Sequence, residues 1–399
     1  MLTATADGRL TRSRPYGHID YPWRAAFDLI GPEPSRFYAA LITQALRFGL
    51  PARRRLGPLV AFLGRSDIPQ APLAAALRAA ARRAPRPELD RLVHSLTEAW
   101  PRLAAVAEGL NETPPQLSAL ALERRSALTV FAFGEHSNPL LVLKVPSPNS
   151  AGVERELHAL RLAAPAAISP RIFGPVADGW AQEALAGAPL RVEPLSPAAA
   201  RGLAWTPDLD ELGRALTRLA EVTTHRRPPD DLVVPIERAL AHGRMPDATH
   251  RLATAAWRDV RRLEVSVLRH GDTSPQNCLF SGGRLTGLVD WEDAAPHGAP
   301  GWDTLNVALA YLDHGVGLRR WSQPLVLECF THAWTGAFGR GARDAARAAA
   351  RAAAVPEQLL DPLELCVFAW RVGRRLANPS FYPTSASTAA RMLEVAAHA

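Results

Sequence analysis

The sequence predicts an α+β protein built as two lobes, a small strand-rich one and a larger helical one, behind an additional helical stretch at the N-terminus. Three observations predict it. Two strand-like runs, ALTVFAF at 127–133 and PLLVLKVP at 139–146, flank the turn GEHSN, the pattern of an antiparallel pair. Apolar residues at helical spacing fill 206–225 and 247–264 and return after Asp303. Between those helices, a Gly-Gly turn joins the short runs CLF and LTGLVD into a hairpin. With 399 residues, 47% of all residues hydrophobic and no internal repeats, the chain is long enough for two or three packed units.

Taken in order, residues 1 to about 35 are rich in Pro, Gly and Arg without a sustained period, and are expected to form a surface arm or to be partly disordered. Helices are expected over 36–50, closed by Pro51, over 72–84, and over 88–110 with an interruption at Pro101. Residues 1–112 thus read as a helical extension whose role stays open: a protein-partner module, a lid, or packing support. The basic cluster at 51–55 reads as a solvated loop. The first lobe is expected over 113–186 and includes a helix at 151–164. Two short strands and a linker at 171–190 lead, past Gly187 and Pro189, into the second lobe at 187–399.

The formal charge of +7 and a pI near 10.0 raise the question of nucleic acid. The arginines are scattered over most of the expected helices, and no run interleaves basic with aromatic residues as a strand-binding platform does. No nucleic-acid partner is expected. No apolar run reaches the eighteen or so residues that span a bilayer, and the first residues lack an apolar signal core, so no membrane partner and a cytoplasmic location are expected. Cys278, Cys329 and Cys366 are widely spaced in apolar runs and read as core residues. One further count matters. Of 46 Lys and Arg residues only Lys144 is a lysine. A chain that uses arginine wherever a positive charge suffices is expected to keep lysine where a compact ammonium is required.

The chemistry concentrates in Leu268–Asp303, which reads LRHGDTSPQNCLFSGGRLTGLVDWEDAAPHGAPGWD. The hairpin brings Asn277, at the start of one strand, near Asp290, at the end of the other. A hard Mg²⁺ ion takes oxygen ligands, usually one or two carboxylates completed by phosphate and water. One amide oxygen and one carboxylate meet that demand. Asp272, on the loop just before, is placed to orient an acceptor hydroxyl and take its proton. Each acid alone would more often be a turn residue or a cap; the set in this order points to phosphoryl transfer.

HGDTSPQN, LVDWED and GAPGWD together resemble the aminoglycoside phosphotransferase / choline kinase family of small-molecule kinases. The resemblance implies a bilobal protein-kinase-like fold, ATP or GTP as phosphoryl donor, Mg²⁺, and a small-molecule hydroxyl as acceptor. It implies Asp272 as catalytic base, Asn277 and Asp290 as metal ligands, and His270 and Asp303 as structural support of the catalytic loop. By the same kinase logic Lys144, near the end of its strand, holds phosphates and is held by a helix glutamate. Glu156 fits the family phrase R-E-x-x-x-L better than Glu154.

The nucleotide site departs from the kinase pattern in one respect: LERRSAL, at 122–128, holds no glycine. Ser126, with Arg124 or Arg125, is one candidate for the phosphate contact; Ser137 and Asn138 in GEHSN are the other. WAQEALAG resembles the family hinge, placing backbone at Glu183, Ala184 and Leu185 against the adenine edge. The late helices normally wall the acceptor pocket in this family. Their acids, Asp313, Glu328, Glu357, Asp361 and Glu364, are what a polycation would need. Trp302, Trp321, Trp334 and Trp370 are either core residues or rings that stack on a sugar or enclose a quaternary amine. His225 reads as a helix-end residue. A catalytically silent module that binds nucleotide or a partner remains the alternative to an enzyme.

Overall fold

In the computed structural model, strand β5 (Pro139–Pro146) sits between β4 (Ala127–Phe133) and β7 (Gly179–Glu183) within one antiparallel sheet. The residues described are 2–4, 10–12, 118–123, 127–133, 139–146, 152–176, 179–230, 232–241, 245–316, 323–377 and 385–399. The sheet has seven strands. β3 (Ser118–Glu123) lies beyond β4, followed by β1 (Leu2–Ala4) and then β2 (Leu10–Arg12), while β6 (Ile172–Val176) closes the other edge. The β4 and β5 runs fall on the predicted residues. β3 was not foreseen, and neither were the two short strands in the stretch read as an N-terminal arm. The helices expected within 1–112 lie outside the described residues.

The chain divides into two units, Met1–Glu154 with Pro170–Ala186, and Arg155–Ser169 with Gly187–Ala399. The first carries the sheet. The second is mostly helical: α1 (Gly152–Ala163, which joins it from Arg155 on), α2 (Pro197–Arg201), α3 (Pro207–Thr223), α4 (Val233–Ala241), α5 (Asp247–Val260), α6 (Trp302–Val316), α7 (Gln323–Thr335), α8 (Ala337–Ala352), α9 (Leu360–Ala377) and α10 (Ala386–Ala397). The architecture is therefore the mixed, sheet-then-helix arrangement the sequence predicts.

Helix α3 shows why these residues fold this way. Leu209, Leu212, Leu216 and Leu219 recur every three or four positions and are buried, while Asp210, Arg214 and Glu221 stay in solvent. Thr206 caps the start, its hydroxyl accepting from Leu209 N at 3.3 Å, a contact worth about 1 kcal/mol. His225 follows the helix end, bridges Ser266 through backbone hydrogen bonds, and is exposed.

The second unit's own sheet is built on β10 (Cys278–Ser281) and β11 (Arg284–Leu288), joined at Gly282 and Gly283, both in left-handed conformation. The hairpin stands as predicted and gains a third strand, β8 (Ala188–Pro189), laid against β10. Leu190 N donates to Pro275 O and Cys278 O at 3.1 and 2.8 Å, which fastens the incoming chain to the β10–β11 hairpin. A Cβ on Gly187 would stand 2.5 Å from Phe280 O, so only glycine permits that approach. Another pair, β9 (Val267–Arg269) with β12 (Ala295–Gly298), precedes the loop that carries Asp272. All three cysteines are free and buried. No described helix is long and apolar enough to cross a membrane.

Candidate functional site

Strand β9 delivers the chain into the HGD turn, and three successive amides there are each held by a named side chain. His270 N donates to Asp303 Oδ2 at 2.6 Å, Gly271 N to Asp303 Oδ1 at 3.2 Å, and Asp272 N to His270 Nδ1 at 3.3 Å. Asp303 sits in the first turn of α6 and is buried. A carboxylate there is favoured by the positive end of the helix dipole as well as by two backbone donors.

His270 is wholly buried, its ring 4.5 Å from that of Trp291, and its Nε2 lies 3.0 Å from Val289 O. Since Nδ1 accepts from Asp272 N, the proton belongs on Nε2, donating to Val289 O. Burial holds this imidazole neutral, pushing its pKa down to about 4. His270 is thus a neutral strut between the catalytic loop and the end of β11.

Asn277 completes the arrangement. Its Nδ2 donates to both Asp272 O and Asp272 Oδ2 at 2.9 Å, and its backbone O accepts from Val289 N at 2.9 Å. The amide's orientation is thereby fixed, with Oδ1 on the side away from Asp272. Asp290 follows Val289 at φ 72°, ψ 62°, a left-handed conformation rare for residues other than glycine and concentrated at functional sites. A backbone hydrogen bond beyond the β10–β11 ladder therefore ties the segments bearing Asn277 and Asp290. An amide oxygen and a carboxylate suit a hard cation that takes its remaining ligands from phosphate and water. No group of three or more His, Cys, Asp or Glu among the described residues could hold a metal by itself.

The structure brings together His270, Asp272, Asn277, Asp290 and Asp303. Two residues were missed. Thr273, fully buried, donates from Oγ1 to Asp303 O at 2.8 Å, and Asn306 Nδ2 reaches Thr273 Oγ1 at 3.4 Å. The signal for Thr273 was its place beside Asp272; Asn306 gave none outside α6 itself.

In the first unit, Lys144 pairs across the sheet with Thr129 on β4 and Trp180 on β7 and is only 5% exposed, which excludes a solvent-facing strand lysine. Glu183 N donates to Arg171 O and its Oε2 accepts from Arg171 N, so an adenine contact at this residue must run through its carbonyl. Leu185 follows β7, half-buried. Glu156, on α1 in the second unit, is 1% exposed, whereas Glu154 is exposed. Ser126, Arg124, Arg125, Ser137 and Asn138 lie outside the described residues, as does Trp321.

Among the late-helix tryptophans, Trp302 and Trp334 are fully buried core residues and Trp370 is half-buried. The acids are largely engaged by the chain's own cations. Asp313 meets Arg371 at 2.6 Å and Arg375 at 4.0 Å, Asp361 meets Arg347 at 2.5 Å, and Glu357 meets Arg351 at 2.6 Å. Glu328 Oε1 lies 3.8 Å from His332 Nε2.

Glu364 behaves differently. It is buried in a small cavity lined with Arg343 and Arg347, and its Oε1 is without a hydrogen-bond partner among the described residues. Burial raises its pKa to about 7, against the pull of the two guanidiniums. His270 and Glu364 should therefore act oppositely on stability. Between about pH 6.5 and 4 the unfolded chain protonates this histidine and the folded chain does not, so stability falls as pH drops, by roughly 3 kcal/mol in all. Between about pH 4.5 and 7 the folded chain keeps the Glu364 proton that the unfolded chain has lost, so stability falls as pH rises, by a similar roughly 3 kcal/mol. Their contributions nearly cancel where the windows overlap. Glu364→Gln is expected to be more stable than wild type by roughly 3 kcal/mol at pH 8 and to gain nothing at pH 4.5. Urea midpoints at pH 4.5, 6.5 and 8 check this; an equal gain at every pH refutes it.

The family model described as the phosphotransferase enzyme family matches residues 122–348, more than half of the chain. The chain belongs to that family. No curated protein matches it in sequence. Solved structures with which this family member shares similarity include a choline/ethanolamine kinase family protein from Mesorhizobium loti, at 18% identity over 76% of this chain and 100% of that one, TM-score 0.39. A macrolide 2′-phosphotransferase type I is 16% identical over 75% and 95%, TM-score 0.41. A thermostable mutant of an aminoglycoside phosphotransferase in complex with ADP and hygromycin B is 16% identical over 74% and 97%, TM-score 0.42. Likenesses at this level bear on neither acceptor nor mechanism.

Proposed function

We propose that this phosphotransferase moves the γ-phosphoryl group of ATP or GTP to a hydroxyl of a small molecule, with Asp272 as the base. The observation that carries the reading is the double hydrogen bond from Asn277 Nδ2 to Asp272. It supports the reading by holding the Asp272 carboxylate beside the Asn277 amide, and the Val289–Asn277 bond brings the residue before Asp290 to Asn277. Asp272 orients the acceptor hydroxyl and takes its proton as the phosphoryl group transfers. Asn277 Oδ1 and Asp290 would hold Mg²⁺, which when bound neutralises charge on the phosphates. Lys144 is read as the cation that positions the phosphates, and the backbone at Glu183 and Leu185 as the receiver of the base. His270 and Asp303 keep the loop in place.

The acceptor is read as a hydroxyl compound without multiple positive charges, because Asp313, Glu357 and Asp361 already carry arginine partners and Glu364 holds a proton near neutral pH. An assay of nucleoside diphosphate release with ATP and GTP, across sugars, polyols, amino alcohols and aminoglycosides, tests both statements. Acceptor-dependent release is expected, greatest for an uncharged or anionic hydroxyl compound. Tight nucleotide binding with no release for any acceptor would establish the silent-module alternative instead.

A further inference from the structure

Arg269, the residue before His270, has an aliphatic stem that passes Gly298 and a guanidinium buried among aromatic rings. Its Cζ lies 5.0 Å from the Trp302 ring centroid and 5.6 Å from that of Trp370, and the two rings meet edge to face at 4.4 Å. Arg374 covers Trp370 as well, at 5.2 Å. Arg269 is 7% exposed and Trp302 1%. The route for the stem depends on Gly298: a Cβ there would stand 2.4 Å from Arg269 Cβ and within 3.3 Å of Cγ and Cδ.

The positions of these residues in the chain give the stack its meaning. Asp303 grips the amides of His270 and Gly271. One residue back along each segment stand Arg269 and Trp302, and they grip each other. A carboxylate–amide clamp and a cation–π clamp thus join the same two segments side by side, and two adjacent fixings resist a rotation that either alone would allow. Desolvated cation–π contacts are at the strong end of their range. Through Trp370 the second clamp also reaches α9.

We propose that Arg269 is a positioning residue: its contact with Trp302 and Trp370 sets the orientation of the catalytic loop and hence of Asp272. The kinetic consequence rests on the reading of Asp272 as base; the structural consequence does not. Hydrogen exchange of the amides of His270, Gly271 and Asp272, each tied to a named acceptor, reports it directly. Arg269→Met keeps the stem and removes the charge; Arg269→Lys keeps a cation. In the full chain, Arg269→Met is expected to speed exchange in a peptide spanning 268–272 about 10-fold, leaving peptides of α3 unchanged, and Arg269→Lys to recover most of the protection. With a turned-over acceptor, kcat should fall by a similar factor while the nucleotide KM holds. Exchange at 268–272 within twofold of wild type in Arg269→Met, or an equal rise across the second unit, overturns the proposal. Should Arg269→Met not fold, Trp370→Leu removes one ring from the stack at a half-buried position and carries the same expectation and the same refuting result. Faster exchange with no acceptor turned over by wild type would leave the clamp standing and remove phosphotransfer.

Discussion

Asp272→Asn is expected to reduce acceptor-dependent turnover about 10²–10⁴-fold while leaving nucleotide affinity within about twofold of wild type. The substitution is nearly isosteric, and the amide oxygen of the new side chain can still accept from Asn277 Nδ2, as Asp272 Oδ2 does at 2.9 Å. The backbone bonds of the turn, Asp272 N to His270 Nδ1 and Asn277 Nδ2 to Asp272 O, need no carboxylate. Fold and loop geometry are therefore kept, and the thermal midpoint should move by no more than a few degrees. What disappears is the ability to take a proton from the acceptor. The proposed nucleotide contacts do not depend on that proton, so the loss should fall on kcat. Steady-state kinetics beside an equilibrium nucleotide titration measure the two effects separately. Wild-type turnover in the variant would remove Asp272 from the chemistry; weakened binding at unchanged kcat would make it a nucleotide ligand.

How far the sequence reached depended on whether the information was local. The β10–β11 hairpin was legible because two consecutive glycines supply the positive φ that its turn requires, +58° and +74°, between two short apolar runs. Helix α3 was legible because its four buried leucines and its Thr206 cap lie within seventeen residues of one another. The buried state of Lys144 was suggested by composition, since a chain of arginines has one lysine and it stands mid-sheet. Strand β3 was passed over because Ser118–Glu123 holds no β-branched residue; pairing with β4 over six positions, not propensity, makes it a strand. β12 contains proline, histidine and glycine and is a strand only because β9 lies beside it. Asp313 looked available because its arginine partner is distant in sequence: Asp313 and Arg371 are 58 residues apart. Equally, the ring faces of Trp302 and Trp370 could be assigned only once Arg269 was seen against them.

Gly271→Ala is expected to destabilise the protein by about 3–5 kcal/mol, the sum of a left-handed backbone penalty and a steric clash that nothing flexible can relieve. Gly271 holds φ +90°, and an added Cβ would stand 2.1 Å from Asp293 O and 2.7 Å from Asp293 C. Those atoms are backbone, in the short 3-10 helix Trp291–Asp293 that begins right after Asp290. Relief requires either that helix or the HGD turn to shift by about an ångström, given that real Cβ contacts stay beyond 3 Å. Moving the turn lengthens the bonds from His270 N and Gly271 N to Asp303, and two donors to a buried carboxylate are the kind whose loss is expensive. Moving the helix displaces Asp290 from Asn277. Either way the clash strikes the proposed base or the proposed metal ligand, so turnover should fall along with the urea midpoint, whereas Asp272→Asn separates the two. An alanine variant with a wild-type midpoint would mean that the turn has another conformation of equal energy, and the tight approach of Gly271 to Asp293 would then have no part in holding Asp272 in place.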